Sequence, residues 1–251
     1  MPVIFVGHGS PENAVLDNSY TQGWKKMAEL IPTPKAILCI SAHWITTGKT
    51  KVAAMKDPKI IYDFYGFPEE LYKVKYPVRG DPALAKKIKD ILKKFNAAAD
   101  LSWGIDHGTW SVLVHMYPKA DIPTLQLSID YDLPVERAFE IGKALSELRN
   151  EGVLIIGSGN VVHNLRAIEW GGSPFPWAVE FDDFVKDSLK KKDYKSLINF
   201  KQNKLTQMAH PTHDHYLPLI YAMGASEGES PKFFNESIFA GSVSMRCVIW
   251  K

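Results

Sequence analysis

The chain has 251 residues and carries 30 lysines and arginines against 28 aspartates and glutamates, a formal charge of +2 with histidine neutral. This balance, with a sequence pI near 8.3, excludes a protein built mainly to bind polyanions, so we expect no nucleic-acid partner. Hydrophobic residues make up 45% and charged residues 23% of the chain, which is typical of a globular protein with a large core.

Short apolar strands alternate with longer amphipathic segments along the chain, a pattern typical of an α/β domain. Strands are predicted at residues 3–6, 36–41, 51–54, 123–128, 153–157 and 242–249. Helices are predicted at residues 20–30, 82–95, 135–149 and 176–190. Because no repeat, low-complexity tract or linker divides the chain, we predict a single α/β domain over residues 1–251, with a central mixed sheet flanked by helices.

The apolar runs and the cysteines indicate in which compartment of the cell the protein is expected. The longest apolar runs, such as residues 36–40 and 153–156, fall far short of the roughly 18 residues that a membrane helix needs, so no membrane partner is expected. Residues 1–6 show no signal-peptide pattern, and we expect a cytoplasmic protein. Cys39 and Cys247 each lie in an apolar, strand-like run, which favours free buried thiols over a disulfide or a metal site.

Histidines are placed where α/β proteins build ligand sites, at strand ends and in loops that contain glycine or proline. They are His8 after the first strand, His43 after the second, His163 after the strand at 153–157, His107 in the loop at 104–110, and the cluster His210, His213 and His215. Imidazole is the most common metal ligand, and ligands from separate loops leave coordination positions open. Together these placements predict a catalytic metal site.

Three further residues are predicted to have packing or orienting roles. His115, inside the apolar run at 112–116, is predicted to pack within a helix. Asp106 and Asn160 are predicted to orient neighbouring imidazoles, since metal-site histidines need hydrogen-bond acceptors behind them.

The histidine segments are similar to those of the class III extradiol ring-cleaving dioxygenases, and among them to the 4,5-DOPA extradiol dioxygenase group. The similarity spans nearly the whole chain, and its specificity comes from six segments in the right order, because any one alone would be a weak signal. The segments are Gly7-His8-Gly9-Ser10-Pro11 with Asn13-Ala14, Ser41-Ala42-His43-Trp44, Tyr62-Asp63-Phe64-Tyr65-Gly66-Phe67-Pro68, Asp106-His107-Gly108-Thr109-Trp110, Gly157-Ser158-Gly159-Asn160-Val161-Val162-His163-Asn164-Leu165, and His210-Pro211-Thr212.

The resemblance implies a mononuclear metal held by His8, His43 and His215, with iron(II) as the catalytic ion and zinc(II) as an alternative occupant. It implies that His163 is the acid/base residue, able to ligate zinc as well, and that His107 is a second catalytic histidine. The implied reaction inserts dioxygen into a small catechol such as L-DOPA to give a muconic semialdehyde. Three protein ligands leave room for catechol and dioxygen at one centre.

The last histidine segment departs from the family pattern. The family usually reads His-Pro-Thr-Pro-Glu-His, whereas this chain has His213 and Asp214 in the proline and glutamate positions. A local rearrangement that presents either residue in place of His215 therefore stays open. The position of His215 directly before Tyr216 favours His215.

Two other functions would use the same histidines. One is a zinc-dependent hydrolase in which the metal activates water and His163 is the base, and the other is a non-catalytic binding protein on the same fold. Strict dependence of turnover on dioxygen separates the dioxygenase from both alternatives. The sequence predicts no oligomeric state. Aromatic residues are expected to wall a pocket for a flat ring: Trp44, Tyr62, Phe64, Tyr65, Phe67 and Trp103.

Overall fold

Continuous apolar runs form the central strands of the protein. The structure is a computed structural model that describes residues 1–251. The strands are β1 (Val3–Gly7), β2 (Ala36–Thr46), β3 (Lys51–Ala53), β4 (Ala98–Asp100), β5 (Thr124–Asp130), β6 (Val153–Gly159), β7 (Pro231–Phe234), β8 (Ile238–Phe239), β9 (Val243–Ser244) and β10 (Cys247–Trp250). β1, β5 and β6 are buried along their whole length, as expected for strands covered on both faces.

Eight strands form one mixed sheet in the order β4-β3-β5-β2-β6-β1-β10-β7, and β8 pairs with β9 in a second, two-stranded sheet. β5, β2, β6 and β1 lie side by side and parallel, whereas β10 and β7 continue the sheet in antiparallel fashion. The carboxyl ends of the four parallel strands therefore meet at one edge of the sheet, the usual place for a ligand site.

Helices cover both faces of this sheet. They are α1 (Ser19–Glu29), α2 (Glu69–Tyr72), α3 (Pro82–Ile91), α4 (His107–Met116), α5 (Val135–Leu145), α6 (Pro176–Lys191), α7 (Tyr194–Ile198), α8 (Thr206–Ala209) and α9 (Leu217–Ala225). Side chains alternate across each strand, so Val3 and Phe5 join a core of 38 buried residues while Ile4 and Val6 join a second core of 23. The predicted α/β domain with a central mixed sheet flanked by helices is confirmed.

The strand predicted over residues 242–249 is wrong as a single element, because it divides into β9 and β10. Between them the Arg246 side chain turns into the interior, where its Nε donates to both carboxylate oxygens of Asp182 at 3.1 and 3.0 Å. A buried guanidinium needs such a partner, and reaching it breaks the extended run.

Two predicted helices are shorter than their apolar spacing indicated. The helix at 82–95 ends as α3 and is followed by a 3-10 turn at Lys93–Phe95, and the helix at 135–149 ends as α5, followed by a 3-10 turn at Ser146–Glu151. α9 was not predicted as a helix, and α4 was predicted only in its last part, at residues 112–116 around His115. Both are buried almost all round, so neither has the polar face that creates a helical period in the sequence.

No helix of the protein is long and apolar enough to cross a membrane. Cys39 and Cys247 are buried free thiols, as predicted. Burial raises the pKa of the Cys247 thiol to about 12, so this cysteine stays in its unreactive thiol form at neutral pH.

Candidate active site

A single cavity of about 670 Å³ lies at the carboxyl edge of the parallel strands. Five histidines line it, and all five were predicted from the sequence as site residues: His8, His43, His107, His163 and His215. The structure therefore brings together residues that are spread over most of the chain. His115 packs in α4 as predicted, with its Nε2 donating to the carbonyl of Asn13 at 2.7 Å.

The sheet positions the first two histidines. His8 directly follows β1, and its backbone N–H donates to the carbonyl of Gly159 at the end of β6, at 3.1 Å. His43 lies in the last part of β2, where the pairing with β5 shifts register between Ile40 and Ile45. Such an irregularity turns side chains away from the regular alternation, which brings His43 to the cavity beside His8.

Ser158 defines the tautomer of His8. The Ser158 hydroxyl donates its one proton to the carbonyl of Gly108 at 2.5 Å, so it accepts a hydrogen bond from Nδ1 of His8 at 3.0 Å. Nε2 of His8 is consequently unprotonated. It lies 3.1 Å from Nε2 of His43.

Asp63 orients two imidazoles at once. Its Oδ2 lies 3.2 Å from Nδ1 of His43 and 2.8 Å from Nδ1 of His107, and its Oδ1 accepts the backbone N–H of His107 at 2.9 Å. Since a carboxylate only accepts, the His107 ring donates from Nδ1 to Asp63 and keeps Nε2 unprotonated, whereas the His43 ring is held beside the same oxygen by the charge of the carboxylate. Burial works against the charged carboxylate, but the bonds from His107 and the nearby His43 outweigh it and lower the pKa of Asp63.

His215 is held between β6 and its own neighbour in the chain. Its Nδ1 lies 2.5 Å from Oδ2 of Asp214, and its carbonyl accepts the backbone N–H of Asn160 at 2.9 Å. A Cβ at Gly159 would stand 2.1 Å from that carbonyl oxygen, so only glycine permits this approach. The His215 ring can therefore enter the cavity from the start of α9.

His213, two residues before His215 in the chain, packs outside the cavity. The His213 ring stacks on Tyr131, with centroids 4.8 Å apart and planes 17° apart, and its backbone N–H donates to the Tyr131 hydroxyl. His213 does not line the cavity.

His163 differs from the other four histidines of the cavity. Its ring stacks on His215 with a centroid distance of 3.5 Å and an interplanar angle of 8°, and its backbone N–H donates to Ala209. Its two ring nitrogens form no hydrogen bond within the protein, whereas each of the other four rings has a hydrogen bond at one of its nitrogens. The His163 nitrogens are thus free to exchange protons with a ligand in the cavity.

Burial keeps these imidazoles uncharged. Desolvation, with the like charges of neighbouring rings, lowers the pKa of His8 and His215 well below the ordinary value. Desolvation likewise lowers the pKa of His43 to about 3 and that of His163 to about 4. At neutral pH all four are neutral imidazoles, which is the form that ligates a metal.

Three of the rings form a nearly regular triangle. The centroids are 5.0 Å apart for His8 and His43, 5.2 Å for His8 and His215, and 4.9 Å for His43 and His215. Nitrogens bound at about 2.0–2.1 Å to one ion, at octahedral to tetrahedral angles, lie about 2.8–3.4 Å apart. The 3.1 Å between Nε2 of His8 and Nε2 of His43 falls in this range, so this pair of nitrogens fits a metal ion.

The ligand atoms fall into two close groups, in each of which all atoms lie within 4.8 Å of one another. The first group contains His8, His43 and His107, and the second contains His163, Asp214 and His215. A group of three imidazoles able to bind a metal is therefore part of the cavity.

The prediction that Asp106 and Asn160 orient imidazoles is wrong. Asp106 accepts hydrogen bonds from Ser41 Oγ and Gln126 Nε2, both at 2.7 Å, and Asn160 Nδ2 donates to the carbonyl of Ser244 at 2.8 Å. Burial raises the pKa of Asp106 to about 6. Proximity in the chain was a poor guide for His8 and His107, whose acceptors Ser158 and Asp63 come from other segments.

The cavity walls are partly as predicted. Phe64, Tyr65 and Phe67 line the cavity. Trp44 and Trp103 instead stack on each other at 5.3 Å and 2°, outside the lining, and Tyr62 packs against other aromatic rings. Five further apolar residues of the lining were not predicted as pocket residues: Leu165, Ile168, Trp170, Phe239 and Val243.

The chain is similar to known proteins over most of its length. Residues 1–245 match the family described as the catalytic LigB subunit of aromatic ring-opening dioxygenase. The chain is 46% identical to the 4,5-DOPA dioxygenase extradiol of Escherichia coli (strain K12), over 99% of this chain and 94% of that protein. It is 39% identical to the 4,5-DOPA dioxygenase extradiol of Portulaca grandiflora, over 91% and 87%. The crystal structure of an uncharacterized Escherichia coli K12 protein superposes with a TM-score of 0.87 at 42% identity, covering 100% of both chains.

The chain belongs to this family of LigB catalytic subunits of aromatic ring-opening dioxygenases. Within that class it is an extradiol ring-cleaving dioxygenase, as the sequence resemblance implied. These findings favour ring opening over the zinc hydrolase and the non-catalytic binding protein.

Proposed function

We propose that the enzyme inserts dioxygen into a small catechol such as L-DOPA, giving a muconic semialdehyde, at an iron(II) ion held by His8, His43 and His215. The observation that carries the proposal is the triangle of three imidazoles with sides of 4.9–5.2 Å. The names of the Escherichia coli and Portulaca relatives support L-DOPA as the substrate.

The ring geometry supports His215, rather than His107, as the third ligand. The His107 ring lies 3.9 Å from that of His43 but 5.6 Å from that of His8, so a triangle that includes it is uneven. Asp63 also binds both the backbone N–H and Nδ1 of His107.

The local contacts also support His215 over its two neighbours. His213 packs on Tyr131, and Asp214 accepts from Nδ1 of His215, which is the usual position of a carboxylate behind a metal-bound imidazole.

Bound iron(II) supplies open coordination positions and the redox chemistry through which catechol and dioxygen react at one centre. The same three imidazoles would also hold zinc(II), which has no redox chemistry. His163, stacked on His215, would then be near enough to serve as a fourth ligand.

His163 is proposed to accept a proton from a catechol hydroxyl on a ring nitrogen and to return it as the ring opens. Burial lowers its pKa to about 4, so the free ring is neutral and ready to accept, and no protein group occupies its nitrogens. His107 is proposed to take the second hydroxyl proton on Nε2, because Asp63 holds its Nδ1–H. Phe64 and Phe67 in the wall exclude water from the reacting ring.

A cytoplasmic location is proposed with this activity. Cys39 and Cys247 are unpaired thiols, which persist in a reducing compartment, as does ferrous iron. Fractionation of cells should recover the protein with cytosolic markers. Recovery with secreted proteins would contradict this location.

The activity is tested by loading purified protein with iron(II) without oxygen, adding L-DOPA and then admitting dioxygen. We expect a coloured ring-opened product that forms with matched oxygen consumption. His43→Ala should abolish both signals, whereas His213→Ala, a histidine outside the cavity, should retain them. No oxygen uptake with several catechols, despite stoichiometric iron, would contradict the proposed function.

A further inference from the structure

Glu12 is a carboxylate in the cavity without a cationic partner. It lines the cavity four residues after His8 and forms no ion pair with any lysine, arginine or histidine. Ser10 Oγ donates to its Oε2 at 3.1 Å, and its Oε1 accepts no hydrogen bond from the protein. Asp63, the other carboxylate in the lining, is instead engaged by two imidazoles.

The rest of the lining also favours a cationic ligand over an anionic one. It contains no lysine and no arginine, so a negatively charged substituent away from the metal would meet no cationic side chain there. Aromatic residues stand at the cavity mouth, where Tyr65 is 91% and Trp170 is 70% exposed. Aromatic faces attract cations, so the mouth favours a positively charged substituent.

The position of Glu12 relative to His8 is well defined. Glu12 belongs to a 3-10 turn, Pro11–Ala14, that is capped by Ser10. Asn13, the next residue, is buried and donates from Nδ2 to the carbonyl of His8 at 3.0 Å. The backbone that carries Glu12 is therefore held beside His8, the imidazole that we assign to the metal.

We propose that Glu12 determines the class of substrate by pairing with the ammonium group of a catechol that carries an aliphatic amine. This inference rests on the proposed function. For L-DOPA, the ammonium pairs with Glu12, while the carboxylate finds no cation in the lining and faces solvent. Dopamine, which lacks the carboxylate, is then at least as good a substrate as L-DOPA, and hydrocaffeate, which lacks the amine, is a poor one.

The test compares kcat/KM of iron-loaded enzyme for dopamine, L-DOPA and hydrocaffeate. We expect wild type to prefer dopamine over hydrocaffeate by about tenfold, the size of one charge-assisted contact. Glu12→Gln should remove this preference through KM with kcat little changed, and Glu12→Lys should reverse it. Glu136→Gln, at an exposed carboxylate in α5, is the matched control and should keep the wild-type ratio.

Binding of dopamine and hydrocaffeate without oxygen, measured by calorimetry, gives a second readout that needs no turnover. An unchanged ratio in Glu12→Gln, or an equal loss for all three substrates, would overturn the inference. If wild type opens no catechol, the proposed function fails, and the binding ratio alone then decides on Glu12. If Glu12→Gln loses the preference for binding dopamine over hydrocaffeate, the inference is supported. If it retains this preference, the inference is refuted.

Discussion

At the residue scale, three of the cavity imidazoles are oriented by an acceptor at Nδ1. The acceptors are Ser158 for His8, Asp63 for His107 and Asp214 for His215, and Asp63 also lies 3.2 Å from Nδ1 of His43. Each hydrogen-bonded pair leaves Nε2 as the nitrogen available to a metal or a substrate. The tautomers of these three rings are therefore set by the protein before any ligand binds.

Asp63→Asn should weaken metal binding by about 10- to 100-fold, the usual cost of losing an acceptor behind a metal-bound imidazole. An amide has a single acceptor oxygen, so it cannot accept from both the ring and the backbone N–H of His107, and it carries no charge to hold the nearby His43 ring. Chelator competition measures the metal Kd. Asp57→Asn, at an exposed aspartate with no ion pair, is the matched control, and equal affinities for the two variants would contradict the role of Asp63.

His163→Ala should lower kcat by about 10²- to 10⁴-fold, the usual contribution of a general acid or base, while iron content stays near that of wild type. Steady-state kinetics and metal analysis of the same preparation check both parts. His213→Ala should leave kcat and iron content unchanged, because that ring packs on Tyr131. Loss of iron from His163→Ala would make His163 a ligand and refute the acid/base role.

The sequence predicted the histidines better than their partners. His8 and His163 follow strands as predicted, whereas His43 lies inside β2, because this strand continues past the predicted end at residue 41 to Thr46. The order of these segments along the chain already places the three histidines at one edge of a sheet. Asp63 lies in a loop with no strand before it, 44 residues from His107. A loop carboxylate is ordinarily a solvated surface residue, so only the folded arrangement reveals its partners.

At the element scale, the close contact between the end of β6 and the start of α9 positions His215. Asn160 binds the His215 carbonyl, and the absence of a side chain at Gly159 permits the contact. This part of the site could not be predicted because α9 is buried all round and shows no helical period. The segment that carries His215 therefore had no predicted position relative to the sheet.

Gly159→Ala should weaken metal binding by roughly 100-fold, because the new Cβ displaces the His215 backbone, and small misplacements in a site are costly. Chelator competition again measures the effect. Gly48→Ala is the control, since Gly48 has a φ of 73° and no atom within 4 Å of an added Cβ. That variant should lose about 1 kcal/mol of unfolding free energy yet keep the wild-type metal Kd. Unchanged metal affinity in Gly159→Ala would refute the positioning role of β6.

At the scale of the whole molecule, the proposed ion joins distant parts of the chain. His8 follows β1, His43 lies in the last part of β2 and His215 precedes α9, so the three ligands meet only in the folded protein. The alternation of strands and helices was enough to predict the α/β class and the mixed sheet. It did not predict the five further apolar residues of the cavity lining, because residues such as Trp170 and Phe239 come from loops and a short strand without periodicity.

Metal loading should stabilise the folded enzyme. With free iron(II) at 100 times its Kd, linkage gives about 2.7 kcal/mol, which corresponds to roughly 5–11 °C in Tm for a domain of this size. Thermal unfolding without oxygen, with and without the metal, measures the shift. His215→Ala should lose most of it, and an equal shift in that variant would show that the metal is bound elsewhere.

The most direct test of the account is the metal content of five single variants, His8→Ala, His43→Ala, His107→Ala, His163→Ala and His215→Ala, each loaded with iron(II) under identical conditions and analysed after gel filtration. The account predicts loss of iron from the variants at His8, His43 and His215 and near-stoichiometric iron in the variants at His107 and His163. Iron retained in His215→Ala but lost from His107→Ala would contradict it, and would place the metal in the group of His8, His43 and His107.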